Sequence, residues 1–240
     1  MNANPIITTS WDDGHPLDFK IADLLQKYKL GGTFYIPKNN PENEVMSESM
    51  IQSLSKDFEI GGHTMNHVSA DQVSHKKWED EVNNCYNWLS NLTGIKPVCF
   101  CFPRGIYDSV AAAAVFKAGF KLARTTELMN ITGLNPGKIL PTTIQVYDHS
   151  RLTYLKHLVK RRRFANLFLW IKNNSEKELD KLTDRYVKQM IATKGYLHLW
   201  GHSWEIEKYG LWNKLETVLK RISGLEETNY VPNKYLAETA

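Results

Sequence analysis

Residues 5–15 read PIITTSWDDGH. The first seven, rich in Ile, Thr and Trp, fit a short β-strand, but the run then ends in two adjacent carboxylates, a residue type that strands avoid. One explanation is a turn, which Asp-Gly favours. The other is a cation at the strand end, with one of Asp12 and Asp13 ligating it and the other left free as a base.

Outward from this run, strand-like and helix-like segments alternate. Residues 18–28 place Ile21, Leu24, Leu25 and Tyr28 at helical spacing, and Gly31-Gly32 then opens the buried-strand pattern TFYIP. Residues 47–55 read as a helix with Ser47 as N-cap, and Phe58-Glu59-Ile60 leads into Gly61-Gly62-His63. Residues 76–92 form a helix with Trp78, Val82, Cys85, Trp88, Leu89 and Leu92 on one side, ended by Gly94. Strands follow at 98–102, 121–125, 139–146 and 195–200, with helices at 109–118, 152–172, 176–193 and 212–223. This βαβα rhythm implies a mostly parallel sheet with helices outside it. No repeat is visible, so residues 1–240 are expected to form one domain, an α/β distorted barrel of about seven parallel strands. In such a barrel the active site lies at the C-terminal strand ends. The polar clusters fall there: Asp12-Asp13, His63, Pro103-Arg104 and His202.

The bulk properties narrow the function. The 240 residues, 42% hydrophobic and 23% charged, are ordinary for a globular protein. A chain this long buries a core without help from a disulfide or structural metal. A net charge of +4 does not indicate a nucleic-acid binder. Much of the excess sits in residues 156–163, KHLVKRRR, from Lys156 to Arg163. This run reads either as a solvated helix face or, with Leu155, Leu158, Val159, Phe164, Leu167 and Phe168 nearby, as a basic amphipathic helix meeting anionic lipid or a phosphorylated carrier. The three cysteines, Cys85, Cys99 and Cys101, lack a CxxC spacing and read as small buried residues. The N-terminal residues do not resemble a signal peptide. The expected location is therefore cytoplasmic, with peripheral membrane contact through the basic run.

The second chemical cluster is His63-Thr-Met-Asn-His67. Two His at i and i+4 share one face of a helical turn and can reach one ion. Each cluster is ambiguous alone. Together Asp13, His63 and His67 make a three-ligand set that leaves a cation open to water, as in catalytic zinc sites.

TSWDDGH, GGHTMNH, FCFPRGIYD and LHLWGHSWEIE occur in the order seen in the polysaccharide deacetylases, the NodB-type carbohydrate esterases, and the chain resembles that family from about Ile6 to Glu207. The resemblance implies hydrolysis of an N-acetyl group from a carbohydrate. Asp12 would be general base. Asp13, His63 and His67 would hold one divalent ion, Zn2+ ahead of Co2+, Ni2+ or Mn2+. A last-motif histidine would be general acid, His202 at the strand end being preferred to His198 inside it. Many members orient the base with an Arg two residues before the motif-three Pro. Here that position is Cys101, so Arg104 or Arg124 would supply the guanidinium, and the backbone N–H of residue 104 would face the oxyanion. Asp148 and Glu205 are the candidates to support the acid. Trp11, Tyr35, Tyr107, Trp200, Trp204 and Trp212 are either core residues or sugar-stacking platforms. The substrate implied is an N-acetylated sugar, with nucleotide- or lipid-linked glycan precursors favoured. The rival readings are a metal-dependent amidohydrolase acting on an imide, ureide or formamide, and an inactive carbohydrate-binding relative.

Overall fold

The computed structural model describes residues 4–133 and 138–238. The elements run β1 (Ile6–Asp12), α1 (Asp18–Tyr28), β2 (Thr33–Ile36), α2 (Glu48–Leu54), β3 (Glu59–Gly62), α3 (His75–Thr93), β4 (Cys99–Cys101), α4 (Ser109–Ala118), β5 (Leu122–Arg124), β6 (Ile139–Leu140), β7 (Ile144–Gln145), α5 (Arg151–Lys160), α6 (Phe164–Lys172), α7 (Leu179–Thr193), β8 (Tyr196–Gly201), α8 (Ser203–Lys208), α9 (Trp212–Ile222), β9 (Asn229–Tyr230) and α10 (Lys234–Glu238). Eight strands lie in the order β6-β5-β4-β3-β2-β1-β8-β7, with β9 beside the start of β1, and every described pairing is parallel. The fold is a distorted (β/α) barrel. Among the described residues, no helix is long and apolar enough to cross a membrane.

The expected strand at 139–146 is two short strands in one bent run. Its first half pairs with β5 (Ala123↔Ile139, Arg124↔Leu140) and its second with β8 (Ile144↔Leu199, Gln145↔Trp200). Pro141 lies at the break, where its missing N–H removes one ladder bond. The bend brings the two ends of the sheet together.

Alternation along β1 sorts its side chains. Ile7 and Trp11 join the main core under the helices. Thr8 and Ser10 point to the other side, where they bond to the ring of His198. That inner wall also carries Tyr35, Cys99, Cys101, Leu122, Leu140 and Tyr196, closed at the bottom by Leu236 of α10. The three cysteines are buried and free.

Helix α3 shows why the sequence was legible there. Trp78, Val82, Cys85 and Leu89 are buried along one face, the Ser74 hydroxyl accepts from the Lys77 N–H at 3.3 Å, and Gly94 ends the helix at φ 70°. The expected helix at 152–172 is instead two helices, α5 and α6. Arg162 adopts φ 53° between them, and Arg161 turns inward to donate to Thr126 Oγ1 at 2.8 Å and to the carbonyls of Gly105 and Arg104 at 3.3 and 3.4 Å. These tertiary bonds override helix continuation. Helices α8 and α10 and strand β9 had no counterpart in the sequence reading, being too short to show a period.

Candidate active site

The C-terminal strand ends open into a cleft of about 340 Å³ lined by Asp12, Asp13, Glu42, His63, His67, Arg104, Thr126, Gln145, His157, Arg161, Trp200, His202 and Trp204.

Asp13, His63 and His67 converge, their donor atoms all within 4.8 Å of one another. Asp13 Oδ1 lies 3.1 Å from His67 Nε2 and 3.5 Å from His63 Nε2. His63 Nδ1 is 2.8 Å from the Cys101 carbonyl. A carbonyl only accepts, so Nδ1 carries the proton and Nε2 keeps its lone pair for a ligand. Burial works to raise the Asp13 carboxyl, but the facing imidazoles of His63 and His67 outweigh it and hold the group well below the ordinary carboxylate range. Its other oxygen accepts from Trp204 Nε1 at 2.8 Å.

Residues 63–67 are not the helical turn expected from HxxxH. Thr64 and His67 adopt φ 66° and 52°, and Asp13 adopts φ 77°, conformations that persist only when surrounding structure imposes them. Within residues 63–67 the constraint is Glu81 of α3, whose carboxylate accepts from the Met65 N–H at 3.0 Å, the Asn66 N–H at 2.9 Å and Asn66 Nδ2 at 2.7 Å. The sequence reading missed Glu81. Its signal was an acid three residues after Trp78, on the buried face of α3.

Asp12 faces Arg124, whose Nη2 donates to Asp12 Oδ1 with both side chains buried. Arg124 also packs over Trp200 and Tyr35, 4.7 and 5.3 Å from their ring centres. Of the two candidate guanidinium donors, then, Arg124 reaches Asp12. Arg104, at φ 58° in a short 3-10 turn, is directed to Gln72 at 2.9 Å and Glu42 at 2.5 Å. Cys101 Sγ lies 3.7 Å from Asp12 Oδ2. Cys101 and Arg124 are direct register partners on adjacent strands. Asp12, His63 and Cys101 form a second donor cluster within 4.8 Å. Burial holds that thiol well above its ordinary value, hence protonated, and Arg124 adds a positive charge, so this set suits a cation less than Asp13, His63 and His67 do.

His202 follows β8, the strand beside β1, and lines the same cleft as Asp12 and Asp13. Its Nδ1 is 3.1 Å from Glu205 Oε2, which also accepts from Gln145 Nε2 at 3.2 Å. Burial works to lower this imidazole, but Glu205, Asp13 and Asp12 raise it to about 9. It therefore carries a proton at neutral pH. Asp148 pairs with Lys214 instead. His198 lies inside the barrel, bonded to Thr8 and Ser10 at 2.7 Å each and to Tyr196 at 2.5 Å. Burial, with Arg124 nearby, holds it well below its ordinary value, so it is neutral. Of the aromatic candidates, Trp200 and Trp204 line the cleft. Trp11 and Tyr35 are fully buried, Tyr107 stacks on Phe102 at 4.4 Å, and Trp212 lies under Lys20.

Residues 2–123 match the family model for polysaccharide deacetylase, and the chain belongs to that family. A peptidoglycan-N-acetylglucosamine deacetylase from Bacillus cereus is 28% identical over 126 residues, which are 50% of this chain and 56% of that protein. The chain thus spans little more than half the length of that relative. A structure described as a polysaccharide deacetylase from Mycobacterium smegmatis superposes with TM-score 0.68 at 12% identity, covering 99% of this chain and 90% of the other. PuuE allantoinase superposes equally well, with TM-score 0.68 at 12% identity over 98% of this chain and 90% of that one. At such identity these two likenesses speak for the fold.

Proposed function

We propose that this chain hydrolyses the acetamide of an N-acetylated saccharide, with residues 1–240 acting as one catalytic domain. The observation that carries this is a single cleft with three parts: the donor set of Asp13, His63 and His67, an Arg-held carboxylate beside it, and a protonated histidine on the neighbouring strand end. Asp13, His63 and His67 would hold one divalent cation, and the ligand types favour Zn2+. The fit rests on the convergence of the three donor atoms and the freed Nε2 of His63. When bound, the cation supplies Lewis acidity toward the amide carbonyl and makes water a better nucleophile.

The chain's own groups then have distinct tasks. Asp12, fixed by Arg124, takes the proton from the attacking water. His202, charged and oriented by Glu205, gives a proton to the departing nitrogen, which leaves poorly as an anion. Trp204 holds Asp13 from behind, as outer-shell donors do. The backbone N–H of residue 104, in the lining of the same cleft, is our candidate oxyanion donor.

Acetate release across N-acetylated oligosaccharides, sugar nucleotides and lipid-linked sugars tests the reading. Release from one class, abolished by Asp12→Asn with cation binding retained, supports it. Hydrolysis of cyclic ureides or formamides with no acetate release from any saccharide would overturn it, and so would full activity of metal-free protein.

A further inference from the structure

Six of the ten exposed large hydrophobic side chains among the described residues lie on helices α5 and α6. Leu152, Leu155 and Val159 are exposed on α5, and Phe164, Phe168 and Ile171 on α6, with Phe168 at 69% and Phe164 at 62%. The spacings i, i+3, i+7 and i, i+4, i+7 put each trio on one helical stripe. Isolated exposed apolar residues need no explanation, but two such stripes on consecutive helices do.

The charges within this stretch of sequence are all of one sign. Between Ser150 and Ser175 stand Arg151, Lys156, Lys160, Arg161, Arg162, Arg163 and Lys172, with no Asp or Glu. Arg161 is used in the cleft wall, Arg163 pairs with Glu127 at 2.9 Å, and Arg151 donates to the Ser175 carbonyl at 2.9 Å. Lys156, Lys160, Arg162 and Lys172 are exposed and make no ion pair among the described residues.

We infer that the α5–α6 hairpin docks this chain on an anionic lipid bilayer. The six apolar side chains enter the interface and the four free cations meet the headgroups. Helices of 10 and 9 residues are about 15 and 14 Å long, far short of a span but suited to lying in the membrane plane. Charge selects lipid over a second copy of the chain, because a two-fold contact would set four unpaired cations against four more. His157 and Arg161, from the same hairpin, line the cleft, so docking places the cleft mouth at the membrane surface. The docking does not depend on which reaction the cleft performs.

The test is co-sedimentation of the full chain with vesicles of phosphatidylcholine containing about 30 mol% phosphatidylglycerol, against phosphatidylcholine alone. The anionic vesicles should bind at least about tenfold more tightly, and binding should weaken as salt shortens the Debye length. Each lysine near an anionic surface contributes about fivefold, so K156E/K160E should lose more than about 25-fold. F164S/F168S should lose binding at unchanged thermal midpoint, both side chains being exposed. The inference is overturned by equal binding to the two vesicle types, by no binding, or by unchanged binding of both variants. It is also overturned if the chain forms a dimer that F164S/F168S abolishes.

Discussion

Replacing Arg124 by Met tests the arrangement around Asp12 most directly. Met retains much of the stem's volume, so little cavity forms. What is lost is the only charge partner bonded to Asp12 among the described residues, with Arg124 fully buried and Asp12 nearly so. Breaking a buried pair by removing one partner costs about 3–5 kcal/mol, because the other charge is left uncompensated. For a chain of 240 residues, each kcal/mol moves Tm by about 2–4 °C, so Arg124→Met should melt roughly 6–20 °C lower. The scan should be run with chelator, so that no bound cation substitutes for the guanidinium. Arg124→Lys keeps the charge but not the fork and should fall between wild type and Met. Asp12→Asn alone should cost a similar amount. The double variant Asp12→Asn/Arg124→Met should cost much less than the sum, giving a coupling energy of about 3 kcal/mol. Turnover of Arg124→Met, with Asp12 intact but unheld, should fall about 100-fold. An unchanged Tm, or strict additivity in the double variant, would refute the reasoning.

In cation-free protein, NMR titration should place His202 near pH 9, as Glu205, Asp13 and Asp12 require, and Glu205→Gln should bring it down. This folded pKa exceeds the unfolded value of about 6.5, so the stability contributed is complete below that value and is lost as pH rises through about 9. A midpoint near 6.5 in both proteins would contradict the pairing. Trp204→Phe should weaken zinc binding about 10- to 100-fold by calorimetry, since it removes the donor on Asp13 Oδ2; unchanged affinity would show that the indole does not orient the ligand. Gly61→Ala should destabilise by at least about 1–3 kcal/mol in urea titration, because the added Cβ would lie 2.5 Å from the Tyr35 ring and 2.8 Å from the Cys99 carbonyl; a neutral result would mean that β2 and β3 have slack at this point.

Much of this arrangement was readable from the chain because it is written in local patterns. The alternation in residues 5–11 and the stripe from Trp78 to Leu89 report a sheet and its covering helices directly. Asp13, His63 and His67 were recognisable as donors by residue type and by position after strands. What the sequence concealed is set by distant contacts. HxxxH suggested a helical turn, but Glu81 of α3 ties down Met65 and Asn66 and the segment takes another conformation. Residues 152–172 carry a helical period throughout, yet Arg161 is drawn into the cleft and breaks the helix. Arg104 and Arg124 were indistinguishable as partners for Asp12, since the choice depends on strand register and not on distance along the chain.

The register match between Cys101 and Arg124 has an evolutionary reading. Where the resemblance to the family implies an arginine, at the position of Cys101, this chain has a thiol and carries the arginine one strand sideways, at the same height in the barrel. The two positions share one interior volume beside Asp12, so they are expected to change as a pair. Two arginines there would crowd two cations into that space, and none would leave the carboxylate without its partner. Relatives with this chain's layout should therefore form a distinct branch, marked by a small residue at the first position and an arginine at the second.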